Sequence, residues 1–221
     1  MAVAESQTIS RYLESIYYMD AEGERVRAAR LAEWLGISQP TTGATLRRMI
    51  RDGLVHITTS REVTLTARGR ETAERIVRRH RVAERWLTDV LGLDWVAADE
   101  EAGKLEHALS DEVAERLYQH IGRPATCPHG NPIPGEGAIK QKAERALRDL
   151  PAGARSTVRR VSEVAEHDAP QLLRFLGDSG LRLGAEVRSV EHNPGAGTMT
   201  VEVGGRSVAM SLDVAGKIWV D

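Results

Sequence analysis

The chain of 221 residues contains one cysteine, Cys127, so no intramolecular disulfide can staple it, and so sparing a use of thiols fits a reducing compartment. No apolar run approaches the roughly 20 residues that a membrane span needs, and the N-terminus has no apolar stretch of the secretory type. The expectation is a cytoplasmic protein with no membrane partner. A HisGluXxxXxxHis helix, a nucleophile motif and a glycine-rich phosphate loop are all missing, which argues against a metallohydrolase or another enzyme. An overall positive charge is missing too, since the formal net charge is -2. Spread evenly, that charge would disfavour nucleic acid. Residues 1–85, however, carry a net +4 with every cation an arginine, and the remainder carries -6.

The basic part has the pattern of a winged helix-turn-helix. Ile9, Tyr12, Leu13, Ile16 and Tyr17 recur at helical spacing. A second helix begins near Arg27, buries Ala28, Leu31, Ala32 and Leu35, and stops at Gly36, which suits a left-handed cap. Ser38 then caps a third helix with Pro40 in its first turn. That helix is predicted to expose Gln39, Thr41, Thr42, Ala44, Thr45, Arg47 and Arg48 around a buried Leu46, Met49 and Ile50. Short hydroxyls and amides read base edges, and arginines reach phosphates. Two strands, 54–57 and 63–66, form a hairpin with Arg61 near its tip, the wing. The candidate DNA-contacting set is Arg27, Arg30, Ser38, Gln39, Pro40, Thr41, Thr42, Ala44, Thr45, Arg48, Arg51 and Arg61, and the partner is double-stranded DNA.

Thr66 caps a long helix with inward Ala73, Ile76, Val77, Ala83, Leu87, Val90 and Leu91. A helix from about Val96 and another from Asp111, with Val113, Leu117 and Ile121 inward, complete a helical region suited to homodimerisation. Five of the eight prolines lie between Pro124 and Pro151, which reads as a linker. Beyond it, strands at 156–164, 185–191, 198–203 and 206–211 and a short helix at 171–177 predict a small β-barrel. The expected fold is mainly α with small β parts. Its predicted divisions are a winged domain (1–73), a helical metal-binding and dimerisation domain (74–142), a linker (143–154) and a barrel (155–221).

His80 and Glu84 are one turn apart on the long helix and interrupt its apolar stripe, while Asp99, Gly103, Glu106 and His107 follow at i, i+4, i+7 and i+8. Imidazoles and carboxylates converging from two packed helices suit a divalent first-row metal. Glu14 on the first helix can join them and link the metal to the DNA-binding domain. Glu166, His167 and Asp168 are weaker candidates. Cys127-Pro128-His129 lacks paired zinc spacing and reads as a linker turn. His56, His120 and His192 read as structural or surface residues.

Six segments in order resemble the metal-dependent repressors of the diphtheria toxin repressor and manganese transport regulator family. They are ArgTyrLeuGluSerIleTyr (11–17), SerGlnProThr (38–41), GlyLeuVal (53–55), ArgArgHisArgValAlaGluArg (78–85), LeuGluHisAlaLeuSerAsp (105–111) and ProHisGlyAsnProIleProGly (128–135). Residues 171–220 are similar to the family's third, Src-homology-3-like (FeoA-like) domain. The resemblance implies a homodimeric repressor of metal-ion homeostasis that binds operator DNA when loaded with Mn(II) or Fe(II). It implies Glu106, His107, His80 and Glu14 as ligands of the regulatory metal. A second site would start from His80, Glu84 and Asp99 and be completed from the third domain by Glu166 or Asp168, with Arg81 and Asn131 binding an anion. Arg11 and Gly103 stand where the family has ligands. The alternative is therefore a winged-helix regulator with a degenerate metal site, metal-independent or differently triggered.

Overall fold

The computed structural model describes residues 6–135, 144–168 and 171–221. The first unit is α1 (Gln7–Ala21), α2 (Ala28–Leu35), α3 (Gln39–Arg51), β1 (Val55–Ile57) and β2 (Val63–Leu65). Ile9, Tyr12, Leu13, Ile16 and Met19 of α1 bury against Leu31, Leu46, Met49, Val55 and Val63, so one stripe of α1 organises the winged core. Helix α2 closes on Gly36 in the left-handed conformation (φ 64°). The Ser38 hydroxyl caps α3 by accepting the Thr41 amide at 3.3 Å. β1 and β2 form an antiparallel hairpin, with Val55 opposite Leu65 and Ile57 opposite Val63. Arg61 sits in the turn with φ 62°.

Thr66 caps α4 (Ala67–Asp89) through the Gly69 amide and donates back to the Gly53 carbonyl at 2.7 Å. At 23 residues α4 is about 34 Å long, and α5 (Trp95–Leu105) and α6 (Asp111–His120) pack along it. Ala83, Leu87, Ala98 and Ala102 make a narrow seam, with Trp86, Leu93, Leu105 and Leu109 half-buried around it. Val90, Leu91 and Val113, expected to point inward, are exposed instead, Leu91 by 52%. Val90 and Leu91 lie just past the end of α4, and Val113 lies on α6, whose buried residue is Ala114. Ile50, expected in the winged core, is also exposed (42%), because α3 buries Thr42, Leu46 and Met49.

The third unit comprises β3 (Arg145–Ala146), β4 (Arg155–Val161), α7 (Glu163–Asp168), α8 (Gln171–Asp178), β5 (Glu186–Asn193), β6 (Thr198–Val203), β7 (Arg206–Ser211), α9 (Leu212–Ala215) and β8 (Ile218–Val220). Its six strands are ordered β3-β8-β4-β5-β6-β7, every neighbour antiparallel. The predicted linker is corrected here. Arg145–Ala146 pairs with β8, and Leu147 and Leu150 are buried in the barrel core beside Val158 and Ile218. Trp95 of α5 reaches into that same core and Val164 of α7 into the winged core, so side chains tie the three units together.

Candidate metal centre and DNA-reading surface

Glu14, His80 and Glu106 come from α1, α4 and the residue just past α5, and one donor atom of each lies within 4.8 Å of the others. His80 Nδ1 meets Glu106 Oε2 at 2.7 Å and Nε2 meets Asp99 Oδ1 at 3.3 Å. Tyr18, one turn on from Glu14, donates to its carboxylate at 2.9 Å. His107 Nε2 is 3.2 Å from the second oxygen of Glu106. Burial pushes the Glu14 carboxyl up to about 8, with the Glu106 charge adding to it. Burial by itself would lower His80, but the hydrogen bonds and charges of Asp99 and Glu106 carry it well above its ordinary value. A cavity of about 410 Å³ opens beside the cluster, bordered by Arg11, Glu14, Asp99, Gly103 and Glu163. A Cβ on Gly103 would meet nothing within 4 Å. Arg11 is exposed at the rim and supplies a cation rather than a donor.

A second donor group lies one turn farther along α4 and borders the same cavity. Glu84, Cys127 and His129 are all buried, with donor atoms within 4.8 Å of one another. His129 Nδ1 is 2.6 Å from Glu84 Oε1, and that carboxylate oxygen has no hydrogen bond among the described residues. Burial holds the Cys127 thiol up at about 11. The linker reading of Cys127-Pro128-His129 is therefore wrong. Cys127 donates its amide to Asn131 and accepts that of Gly130, a turn that folds the segment back onto α4. Gly130 (φ 89°) fits because a Cβ there would stand 2.0 Å from the Arg159 carbonyl oxygen. No i, i+4 spacing links these residues to α4; their place in the segment resembling the family's was the only signal. Asp99 faces His80, not this group, and the side chains of Glu166 and Asp168 lie outside the described residues.

Both groups fit a divalent cation. Each gathers carboxylate and imidazole donors in a buried place where charge of one sign is costly without a counter-ion. The first offers hard oxygen and nitrogen donors, whereas the second adds a thiol.

The expected anion pair is corrected. Arg81 is buried and already holds an anion of the protein's own: both Glu163 oxygens accept from its guanidinium, at 2.7 and 2.8 Å, and the Pro132 carbonyl takes another donor. Asn131, also buried, donates to the Val161 carbonyl at 3.0 Å. Both residues thus direct donors to acceptors of the protein itself.

On the winged unit, Ser38, Gln39, Pro40, Thr41, Ala44, Arg47, Arg48 and Arg51 are exposed along α3, with Thr45 half-exposed. Arg27 and Arg61 are exposed at the start of α2 and on the wing. Thr42 is corrected: it is fully buried and its hydroxyl donates to the Ser38 carbonyl at 3.1 Å, so it shapes the start of α3. Arg30 turns to Glu24 at 2.8 Å and lies over Trp34. On the wing, His56 meets the Thr64 hydroxyl at 2.8 Å.

Three domain models match in succession: the iron-dependent repressor N-terminal DNA-binding domain over residues 6–63, the iron-dependent repressor metal-binding and dimerisation domain over 66–135, and the FeoA domain over 145–221. The iron-dependent repressor IdeR of Mycobacterium bovis is 38% identical over 225 residues, covering 97% of this chain and 96% of the relative. The diphtheria toxin repressor of Corynebacterium glutamicum is 37% identical, with 97% and 96% covered. Among solved structures, a manganese-dependent transcriptional repressor in complex with manganese superposes with a TM-score of 0.84 at 34% identity, covering 96% of this chain and 98% of that one.

Proposed function

The chain belongs to the iron-dependent repressor family of metal-dependent transcriptional regulators, and from that premise we propose that a cation joining Glu14, His80 and Glu106 fixes the winged unit for operator binding. The carrying observation is that these donors span the reading head and the dimerisation helices: Glu14 moves with α1, whereas His80 and Glu106 move with α4 and α5. A divalent ion would supply the positive charge that lets both carboxylates stay ionised at close range. Glu14 and Glu106 would then be drawn together, His80 would give up a proton and face the ion with a neutral nitrogen, and Tyr18 would keep Glu14 oriented. In a homodimer, this sets two α3 helices at the spacing of successive major grooves.

The donors of this first group favour Mn(II) or Fe(II). Glu84, Cys127 and His129 would hold a second ion that staples the 124–135 segment to α4. Arg11 and Gly103 subtract two donors from the regulatory site, but three still converge, which favours a metal-loaded regulator over one with a decayed site. The exposed residues of α3, with Arg27 and Arg61, are the proposed DNA contacts; Gln39, Pro40, Thr41 and Ala44 face bases, and Arg48 and Arg51 face phosphates.

The test is selection of duplexes from a randomised pool by the purified chain with Mn(II), with Fe(II) and with chelator. Retention only in the metal lanes is expected, and it should vanish for Glu106→Ala. Equal retention with chelator would sink the switch.

A further inference from the structure

Helix α7 belongs to the barrel by sequence and to the reading head by contact. Ser162 accepts the Ala165 amide at 3.0 Å and donates to Glu22 Oε2 at 2.5 Å, while the Val164 amide reaches Glu22 Oε1 at 3.4 Å. Glu22 is the residue that closes α1. The Val164 side chain is buried in the winged core. Farther along, the His167 ring lies flat on the Trp34 indole, centroids 3.9 Å apart and planes 6° apart, and its Nε2 donates to the Trp34 carbonyl at 2.7 Å. Trp34 belongs to α2, the helix that packs behind α3. Glu163 holds Arg81 of α4. One short helix thus grips α1, α2 and α4 together. Ser162, Val164, His167, Glu22 and Trp34 are none of them donors of the two metal groups.

We propose that α7 is a brace through which the barrel sets the angle of the reading head against α4, with His167 and Ser162 as positioning residues that hold no metal and touch no base. This rests on the DNA-binding reading above. The backbone crosses from wing to α4 only once, at 65–67. A single covalent hinge leaves the angle to non-covalent contacts, and two heads on one duplex tolerate little spread in it. A protein whose competent angle is only partly populated binds more weakly by that fraction. The brace acts on the same population as the metal but through different atoms, so it sets how much DNA affinity a given metal occupancy yields.

The test uses the full chain carrying His167→Ala, Ser162→Ala and both. The measurements are Mn(II) affinity by calorimetry, amide exchange over Ala28–Leu35, and binding to the duplex that the unaltered Mn(II)-loaded protein selects from a randomised palindromic pool. Loss of the stacked, hydrogen-bonded pair should weaken DNA binding about three- to ten-fold. Exchange over α2 should quicken, apparent Mn(II) affinity should fall by no more than the same factor because the ion shares that population, and His167→Phe, which keeps the stack, should recover part of the loss. A contact that only stabilises the fold would lower the melting temperature and leave DNA affinity of the folded protein intact, and that result overturns the proposal, as does unaltered exchange in the double variant. If the unaltered protein selects no duplex, the DNA-binding reading fails, and exchange over α2 decides the brace alone.

Discussion

His80 receives Glu106 on one ring nitrogen and Asp99 on the other, and in the metal-free chain that pairing holds the imidazole as a cation. Glu14 beside it keeps a proton up to about pH 8. Both folded values are raised, so both contributions to stability are complete below the unfolded values and disappear as pH climbs through the folded ones. The metal-free protein should therefore lose part of its stability as pH rises from about 4.5 to about 8 through Glu14, and further above 6.5 through His80. Mn(II) takes over the place of those protons, so its binding should release protons and tighten over the same interval. Calorimetry in buffers of different ionisation enthalpy checks the proton count; affinity independent of pH would contradict the assignment. At Arg81 the guanidinium is buried and Glu163 is largely covered, and Arg81→Met would strand the carboxylate, at a cost of up to about 3 kcal/mol readable by urea denaturation. Charges of this kind were only half legible in the sequence. The i, i+4 pair His80 and Glu84 stood out by its period, but nothing in the local pattern said that Glu84 faces His129 and His80 faces Glu106, because those partners are brought by chain crossings 26 or more residues away.

Helices and strands were more legible than the partners of single residues, since caps and periods are local. Ser38 and Thr66 cap as expected, Gly36 closes α2, and β6 and β7 match the predicted spans. What escaped were the pieces too short to show a period: β3, α7, α9 and β8, whose existence depends on pairing or docking. Exposure at the end of α4 and along α6 escaped as well, because an apolar residue at helical spacing gives the same periodic signal whether or not a neighbour covers it. Gly69 is an element-scale constraint. A Cβ there would lie 1.9 Å from the Leu54 carbonyl oxygen, at the point where α4 crosses the base of the wing. Gly69→Ala should cost about 1–3 kcal/mol and weaken DNA binding even with metal saturating; denaturation with and without Mn(II) separates the two losses.

For the whole molecule, Val90, Leu91 and Val113 are exposed apolar residues of the helical unit, and the family's dimerisation domain spans them. Leu91→Lys should shift the protein toward monomer in sedimentation velocity at low micromolar concentration while leaving Mn(II) binding in place. Three-part organisation was readable from charge, proline placement and the change from helical to alternating period, but the boundary near 143–154 was not, since Leu147 and Leu150 reveal their barrel role only when β8 arrives between β3 and β4. That arrival has a bearing on synthesis. The sheet lacks the strand that joins β3 to β4 until residues 218–220 have left the ribosome, while α1 through β2 can close much earlier. A newborn chain therefore carries a finished duplex-reading module for as long as its last strand is still being translated, and removing Ile218–Val220 would leave that module permanently without its barrel.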